Sequence, residues 1–269
     1  MSGGATPTNR IGDAFAKLKR EGRRGFIPFV TAGDPDLGTT RALVVELARA
    51  GATAVELGVP FSDPVADGPV IQRSSERALR RGVSLSDVLA VVRDARRETD
   101  VPVVLFGYFN PILNFGVERF AEEAARAGAD GVLVTDLVPE ESADFNRALT
   151  SRRIDQIFLV APTTSDARLR SIAARASGFV YAVSRAGVTG ARTDLSSEAA
   201  RLVSRVREVS ELPVAVGFGI STPEHVAEVW TYADAAVVGS ALVAEIEKRA
   251  GGADLVARVG DFARALLPK

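Results

Sequence analysis

Eight short apolar runs, rich in β-branched residues, recur along the chain at 26–31, 53–58, 101–107, 131–135, 156–160, 179–183, 214–218 and 235–238. Each is continuous rather than alternating with polar residues. That is the pattern of parallel strands buried on both faces. The stretches between them carry helical spacing. Over 39–50, Leu43, Val44, Leu47 and Ala48 form one stripe, and Gly51 suits a left-handed C-cap. Val88, Leu89, Val91, Val92 and Ala95 repeat the design over 86–97, as do Leu202, Val203, Val206 and Val209 over 197–209. Thr222-Pro223-Glu224 reads as a further helix start, with an N-cap, a first-turn proline and an acidic residue. Arg49-Ala50-Gly51-Ala52 and Arg126-Ala127-Gly128-Ala129 echo one another, each just before a strand.

Eight strands alternating with helices in about 250 residues predict an α/β fold, a (β/α)8 TIM barrel. The alternative is a doubly wound open sheet, but no G-x-G-x-x-G follows the first strand and eight strands suit closure. An extra N-terminal helix over 11–20, with Ile11, Ala14, Phe15 and Leu18 on one stripe, is expected to seal the barrel floor. No linker or composition shift divides the chain, so 10–269 reads as a single barrel domain and 1–9 as a disordered tail without signal-peptide character.

Composition narrows the chemistry. The 269 residues are 46% hydrophobic and 25% charged, with 33 basic against 34 acidic side chains. Balanced charge argues against nucleic acid as a partner. No apolar run approaches the roughly 18 residues of a membrane span, so a cytoplasmic protein is expected. There are no cysteines and one histidine, His225, which removes thiolate, disulfide, zinc and Ser–His–Asp chemistry. The lysines are Lys17, Lys19, Lys248 and Lys269, none at a strand end, so a Schiff-base mechanism has no candidate. His225 reads as a capping residue in a helix first turn.

Barrel sites lie at the C-terminal ends of the strands. Two inter-strand gaps exceed the others, after the second and the sixth runs, and oversized connections are often functional. Glu56 interrupts the apolar run Ala54-Val55-Glu56-Leu57-Gly58. Pointing into the barrel without a partner, it would have a raised pKa and carry protons near neutral pH. At the rim it would be an ordinary solvated or paired carboxylate. Asp63 and Asp67 share the next loop with Pro60, Pro64, Gly68 and Pro69. Either is a turn residue or the second member of an acid/base pair, and spacing does not choose between them. Glycines at Val216-Gly217-Phe218-Gly219-Ile220-Ser221 and Val238-Gly239-Ser240-Ala241, each leading into a helix, predict a phosphate site after strands seven and eight, which Gly190 could close over. Phe29, Phe106, Tyr108 and Phe218 sit near strand ends, as core packing or as a pocket for a flat aromatic ligand.

The segments Pro28-Phe29-Val30-Thr31-Ala32-Gly33-Asp34-Pro35, Glu56-Leu-Gly-Val-Pro-Phe-Ser-Asp-Pro-Val-Ala-Asp67-Gly-Pro, Ser184-Arg-Ala-Gly-Val-Thr-Gly190 and Val216-Gly-Phe-Gly-Ile-Ser221 closely resemble the tryptophan synthase α subunit family. The resemblance runs from about Ile11 to the C-terminus. It implies a lyase that performs reversible retro-aldol cleavage of indole-3-glycerol phosphate to indole and glyceraldehyde 3-phosphate. It also implies a β-subunit partner in an α2β2 heterotetramer, with pyridoxal phosphate in the β subunit and no cofactor or metal in this chain. Carried over by motif, Glu56, Asp67 and Tyr181 are the catalytic residues. Asp67 rather than Asp63 matches the carboxylate that takes the indole N–H proton. Phe29, Tyr108, Leu133, Leu159, Thr189, Gly190, Phe218, Gly219, Gly239 and Ser240 are the substrate-binding ones, with Thr189 in a loop that closes over the substrate and orients Asp67. Two stretches depart from the family pattern. Leu105-Phe106-Gly107-Tyr108 stands where a smaller aliphatic and a non-glycine are expected, and Pro139 comes one residue late in Asp136-Leu-Val-Pro139. A stand-alone indole-releasing lyase, a catalytically weak barrel that regulates its partner, and a sugar-phosphate isomerase are the competing readings; the Glu56–Asp67 loop speaks against the last two.

Overall fold

The computed structural model describes residues 9–183, 192–217 and 219–268. In chain order its elements are α1 (Arg10–Arg20), β1 (Gly25–Thr31), α2 (Leu37–Arg49), β2 (Val55–Gly58), α3 (Pro69–Arg80), α4 (Leu85–Ala95), β3 (Val103–Gly107), α5 (Phe109–Phe115), α6 (Val117–Ala127) and β4 (Gly131–Val134). A single 3₁₀ turn (Pro139–Glu141) then leads to α7 (Ala143–Thr150), β5 (Asp155–Val160), α8 (Asp166–Ala173), β6 (Val180–Val183), α9 (Arg192–Arg207), β7 (Val214–Gly217), α10 (Pro223–Trp230), β8 (Ala235–Val238), α11 (Ser240–Arg249) and α12 (Leu255–Ala265). All eight strands pair in parallel and in sequence order, and β8 closes onto β1. The expected TIM barrel is the observed architecture.

Pleating divides each strand between two cores. Ile27, Ala54, Val104, Leu133, Ile157, Phe179, Tyr181, Ala215, Ala235 and Val237 fill the barrel. Their neighbours, such as Val55, Leu57, Val103, Leu105, Val214 and Val216, face the helical ring. The floor is sealed by α1, whose Ile11 and Phe15 join the barrel cluster, Phe15 lying 5.8 Å from the Phe179 ring. Gly131 makes room for it, because a Cβ there would come within 2.9 Å of Ile11 Cδ1. Asn9, expected in the tail, is the α1 N-cap: its side chain accepts from the Ile11 and Gly12 amides and donates to Asp155. Residues 1–8 lie outside the described residues.

The two echoing tetrapeptides share a structural cause. Helix α2 is followed by Gly51 at φ +101° and α6 by Gly128 at φ +90°. The Ala52 amide then returns to the Leu47 carbonyl, and the Ala129 amide to that of Ala124. Both are Schellman-type stops that turn the chain into the next strand. The long second gap differs from the expected extended loop. It holds an additional helix, α3, before α4, which leaves only residues 59–68 as irregular chain above β2. Among the described residues no helix is long and apolar enough to cross a membrane.

Candidate active site

Strand β2 carries Glu56 at the pleat position that points inward, between Phe29 of β1 and Val104 of β3. The side chain is 1% exposed, and Oε1 has no hydrogen-bond partner among the described residues. Burial alone pushes its carboxyl up to about 8, since no cation or donor offsets the lost hydration. Such a group carries a proton at neutral pH and can both give and take it.

The loop above β2 gives the two aspartates different surroundings. Asp63 is exposed and accepts a bond from its neighbour Ser62. Asp67 turns back toward the barrel, where Tyr108, the residue after β3, donates its hydroxyl to Oδ2 at 3.1 Å. Burial pushes the Asp67 carboxyl up to about 6, with the Tyr108 bond pulling the other way. Asp67 is further held by Gln72 of α3, whose amide donates to the Asp67 carbonyl at 2.9 Å. Tyr181 of β6 stands near both acids; burial, then Glu56, then Asp67 push its hydroxyl well above the usual tyrosine range. The structure therefore brings Glu56, Asp67, Tyr108 and Tyr181 to one end of the barrel.

Apolar walls surround these groups. Phe29 packs edge-on against Phe106 with ring centroids 5.4 Å apart, and Leu133 and Leu159 belong to the barrel cluster. Two strand-end glycines permit this packing, and sequence reading missed both in this role. A Cβ on Gly58 would come within 2.5 Å of the Phe29 ring, and one on Gly217 within 2.0 Å of the Tyr181 hydroxyl. Only the folded register reveals such contacts, so no local signal marks them. The two departures from the family pattern are also accommodated. Phe106 supplies the edge contact with Phe29, and Gly107 lets β3 approach Val59, which a Cβ would meet at 3.2 Å. Pro139 opens the 3₁₀ turn, and its carbonyl accepts from Ser142.

Gly219 has φ +76° and open space where a Cβ would stand. Gly239 is the N-cap of α11 and Ser240 its first residue, with no side chain capping that end. By contrast, α10 is capped by Thr222, which accepts from the His225 amide. His225 in turn accepts from the Ser221 amide, the capping role expected of it. The uncapped amides at the start of α11 thus remain available to an anion. Thr189, Gly190 and Phe218 lie outside the described residues. A groove of about 1300 Å³ opens at the opposite end of the barrel, among Asn9, Lys19, Arg153 and Arg207, but it holds no unpartnered buried acid.

A closed (β/α)8 barrel with a buried Glu56, a half-buried Asp67, apolar walls and an uncapped helix N-terminus at one end has the layout of a barrel enzyme. Comparison with known proteins makes the class specific. The family model described as tryptophan synthase alpha chain matches residues 15–265. The tryptophan synthase alpha chain of Citrifermentans bemidjiense is 54% identical over 258 residues, covering 96% of this chain and 96% of that one. The crystal structure of tryptophan synthase subunit alpha from Legionella pneumophila superposes with TM-score 0.88 at 39% identity, covering 96% of this chain and 97% of that one. A chain of the tryptophan synthase complex from Pyrococcus furiosus superposes with TM-score 0.81 at 38% identity, covering 90% and 97%. The chain belongs to the tryptophan synthase α chain family and is a lyase subunit of tryptophan biosynthesis.

Proposed function

We propose that this chain cleaves indole-3-glycerol phosphate with Glu56 and Asp67 as its acid–base pair. The observation that carries the reading is the buried, unpartnered Glu56 carboxyl, pushed up to about 8, at the end of the barrel where Asp67 sits at about 6. Two acids driven apart by their surroundings supply one protonated and one ionised partner at the same pH. Protonated Glu56 delivers its proton to the indole ring carbon that bears the glycerol chain, while Asp67 accepts the ring N–H proton. The ring is then its own electron sink. Glu56, now ionised, takes the proton of the adjacent glycerol hydroxyl, and the carbon–carbon bond breaks. Its electron pair returns to the ring, Asp67 gives back the nitrogen proton, and indole and glyceraldehyde 3-phosphate result. No step requires a lysine, a metal or a bound cofactor. Tyr181 would lie beside the reacting ring, Phe29, Leu133 and Leu159 would line the indole pocket, and Gly219, Gly239 and Ser240 would receive the phosphate.

The partner in this reading is a tryptophan synthase β subunit in an α2β2 assembly, with pyridoxal phosphate in the β subunit and the whole in the cytoplasm. The Pyrococcus furiosus structure is of a tryptophan synthase complex. Among the described residues the exposed large apolar side chains are Val65, Leu113 and Val138, and each follows the C-terminal end of a strand: β2, β3 and β4 in turn. Exposed apolar side chains on three connections of the loop-bearing face support docking there.

The test is release of indole from indole-3-glycerol phosphate by the purified chain, with and without a β subunit. Slow release that rises steeply with the partner is expected, and no release in either case refutes the reading. The pH dependence checks the pair itself. Asp67 must be ionised and Glu56 protonated in the free enzyme, so kcat/KM should rise through about 6 and fall through about 8. A profile that keeps rising past pH 9 would remove Glu56 from the role of acid.

A further inference from the structure

Tyr108 is 3% exposed, follows β3 directly and touches the acid loop at three points. Its ring lies against Phe61, with centroids 5.1 Å apart. Its hydroxyl oxygen accepts from the Ala66 amide at 3.0 Å, and its proton goes to Asp67 Oδ2 at 3.1 Å. A phenol has one proton to give, an amide N–H cannot receive it, and the nearby Thr135 hydroxyl spends its own proton on the Gly107 carbonyl, so the carboxylate is the charged acceptor for the Tyr108 proton. Among the described residues Tyr108 is the only side-chain or backbone donor to that carboxylate.

We propose that Tyr108 is a positioning residue: it pins loop 59–68 through backbone and side chain at once, and keeps Asp67 an oriented proton acceptor. This rests on the reading of Asp67 as the group that receives the indole N–H. A donor aimed at a carboxylate stabilises its ionised form, which is the form that must accept a proton. The other titratable group that interacts with the Asp67 carboxyl is the Tyr181 hydroxyl on β6, which Glu56 on β2 also reaches, and no cation acts on Asp67 among the described residues. Among the described residues the Tyr108 bond is therefore the single contact that opposes burial at this carboxylate, and it comes from the residue after β3.

The experiment uses Tyr108→Phe in the full chain, which keeps the ring against Phe61 and removes only the hydroxyl. The Asp67 carboxyl is titrated by 13C NMR with labelled aspartate, assigned by its loss in Asp67→Asn. The midpoint is expected to rise by about one pH unit in Tyr108→Phe. The acidic limb of kcat/KM for indole-3-glycerol phosphate should move with it, while the alkaline limb stays in place. A second readout needs no substitution, since the Tyr108 Cζ resonance of the unmodified chain should shift at the Asp67 midpoint. An unchanged midpoint in Tyr108→Phe, with or without loss of activity, overturns the inference and assigns Tyr108 to packing alone. If the midpoint moves but the unmodified chain releases no indole, the contact stands and the proposed reaction falls.

Discussion

Replacing Glu56 with glutamine is expected to lower indole release at least about 10³-fold while leaving ligand binding within a few-fold of normal, since one general acid–base group is worth about 10²–10⁴ and Glu56 serves in both proton transfers. The carboxamide would match the carboxyl in size but could neither deliver a proton to the ring nor collect one from the glycerol hydroxyl. The walls of the site, Phe29 on β1 and Leu133 on β4, do not depend on the carboxyl proton, and the α11 N-terminus lies on another element again. The loss should therefore fall on kcat, with the dissociation constant of a glycerol phosphate analogue almost unmoved. Turnover within tenfold of normal in Glu56→Gln would end the case for it as proton carrier. A large loss of analogue binding instead would mean that the carboxyl holds the pocket together.

Glu56 can be found from the sequence because a charge inside an apolar run is conspicuous, and strand pleating then fixes which way it faces. The strands themselves are legible for a similar reason: parallel barrel strands are apolar on both faces and so leave unbroken runs. Most expected starts fall within one residue of the observed ones, and two fall two residues early. The strand expected at 53–58 begins pairing at Val55 and that at 101–107 at Val103, because Ala54 and Val101 are buried before the ladder begins. Helix α3 is not legible. Its buried residues are the small Ser74, Ser75 and Ala78, and its long side chains, Arg73 and Arg77, are committed to Glu247 and Asp34, so its inner face lacks the large apolar residues that mark the other helices.

The choice between Asp63 and Asp67 is equally hidden from local sequence, since both sit among prolines and the deciding bond comes from Tyr108, 41 residues away. Family resemblance points to Asp67, and the geometry separates the two: one aspartate faces solvent and a serine, the other a buried tyrosine hydroxyl. The clearances at Gly58 and Gly217 belong to the same class of fact. They exist only once β1 lies against β2 and β6 against β7, so they can be read from coordinates alone.

The same buried carboxyl should make the fold less stable as pH rises. In the folded chain Glu56 keeps its proton until about 8, whereas the value for an exposed glutamate is 4.5. Between those values unfolding releases a proton, so increasing pH favours the unfolded chain. The stabilising contribution is complete below 4.5, declines from there, and is gone above about 8. Integrated over that window the loss amounts to about 4–5 kcal/mol. That is a large part of the roughly 5–15 kcal/mol that holds an ordinary domain together. Glu56→Gln removes the titration from both states while leaving Asp67, Asp155 and the surface acids as they are. Its stability advantage over the unmodified chain should therefore be small at pH 5 and widen toward pH 8.5. Urea unfolding of both chains at several pH values measures the difference directly, and the background titrations cancel in it. Parallel stability curves would show that Glu56 is hydrated or paired in the folded chain. A widening gap, together with lost turnover, would locate in one side chain both the catalytic proton and the stability given up to keep it buried.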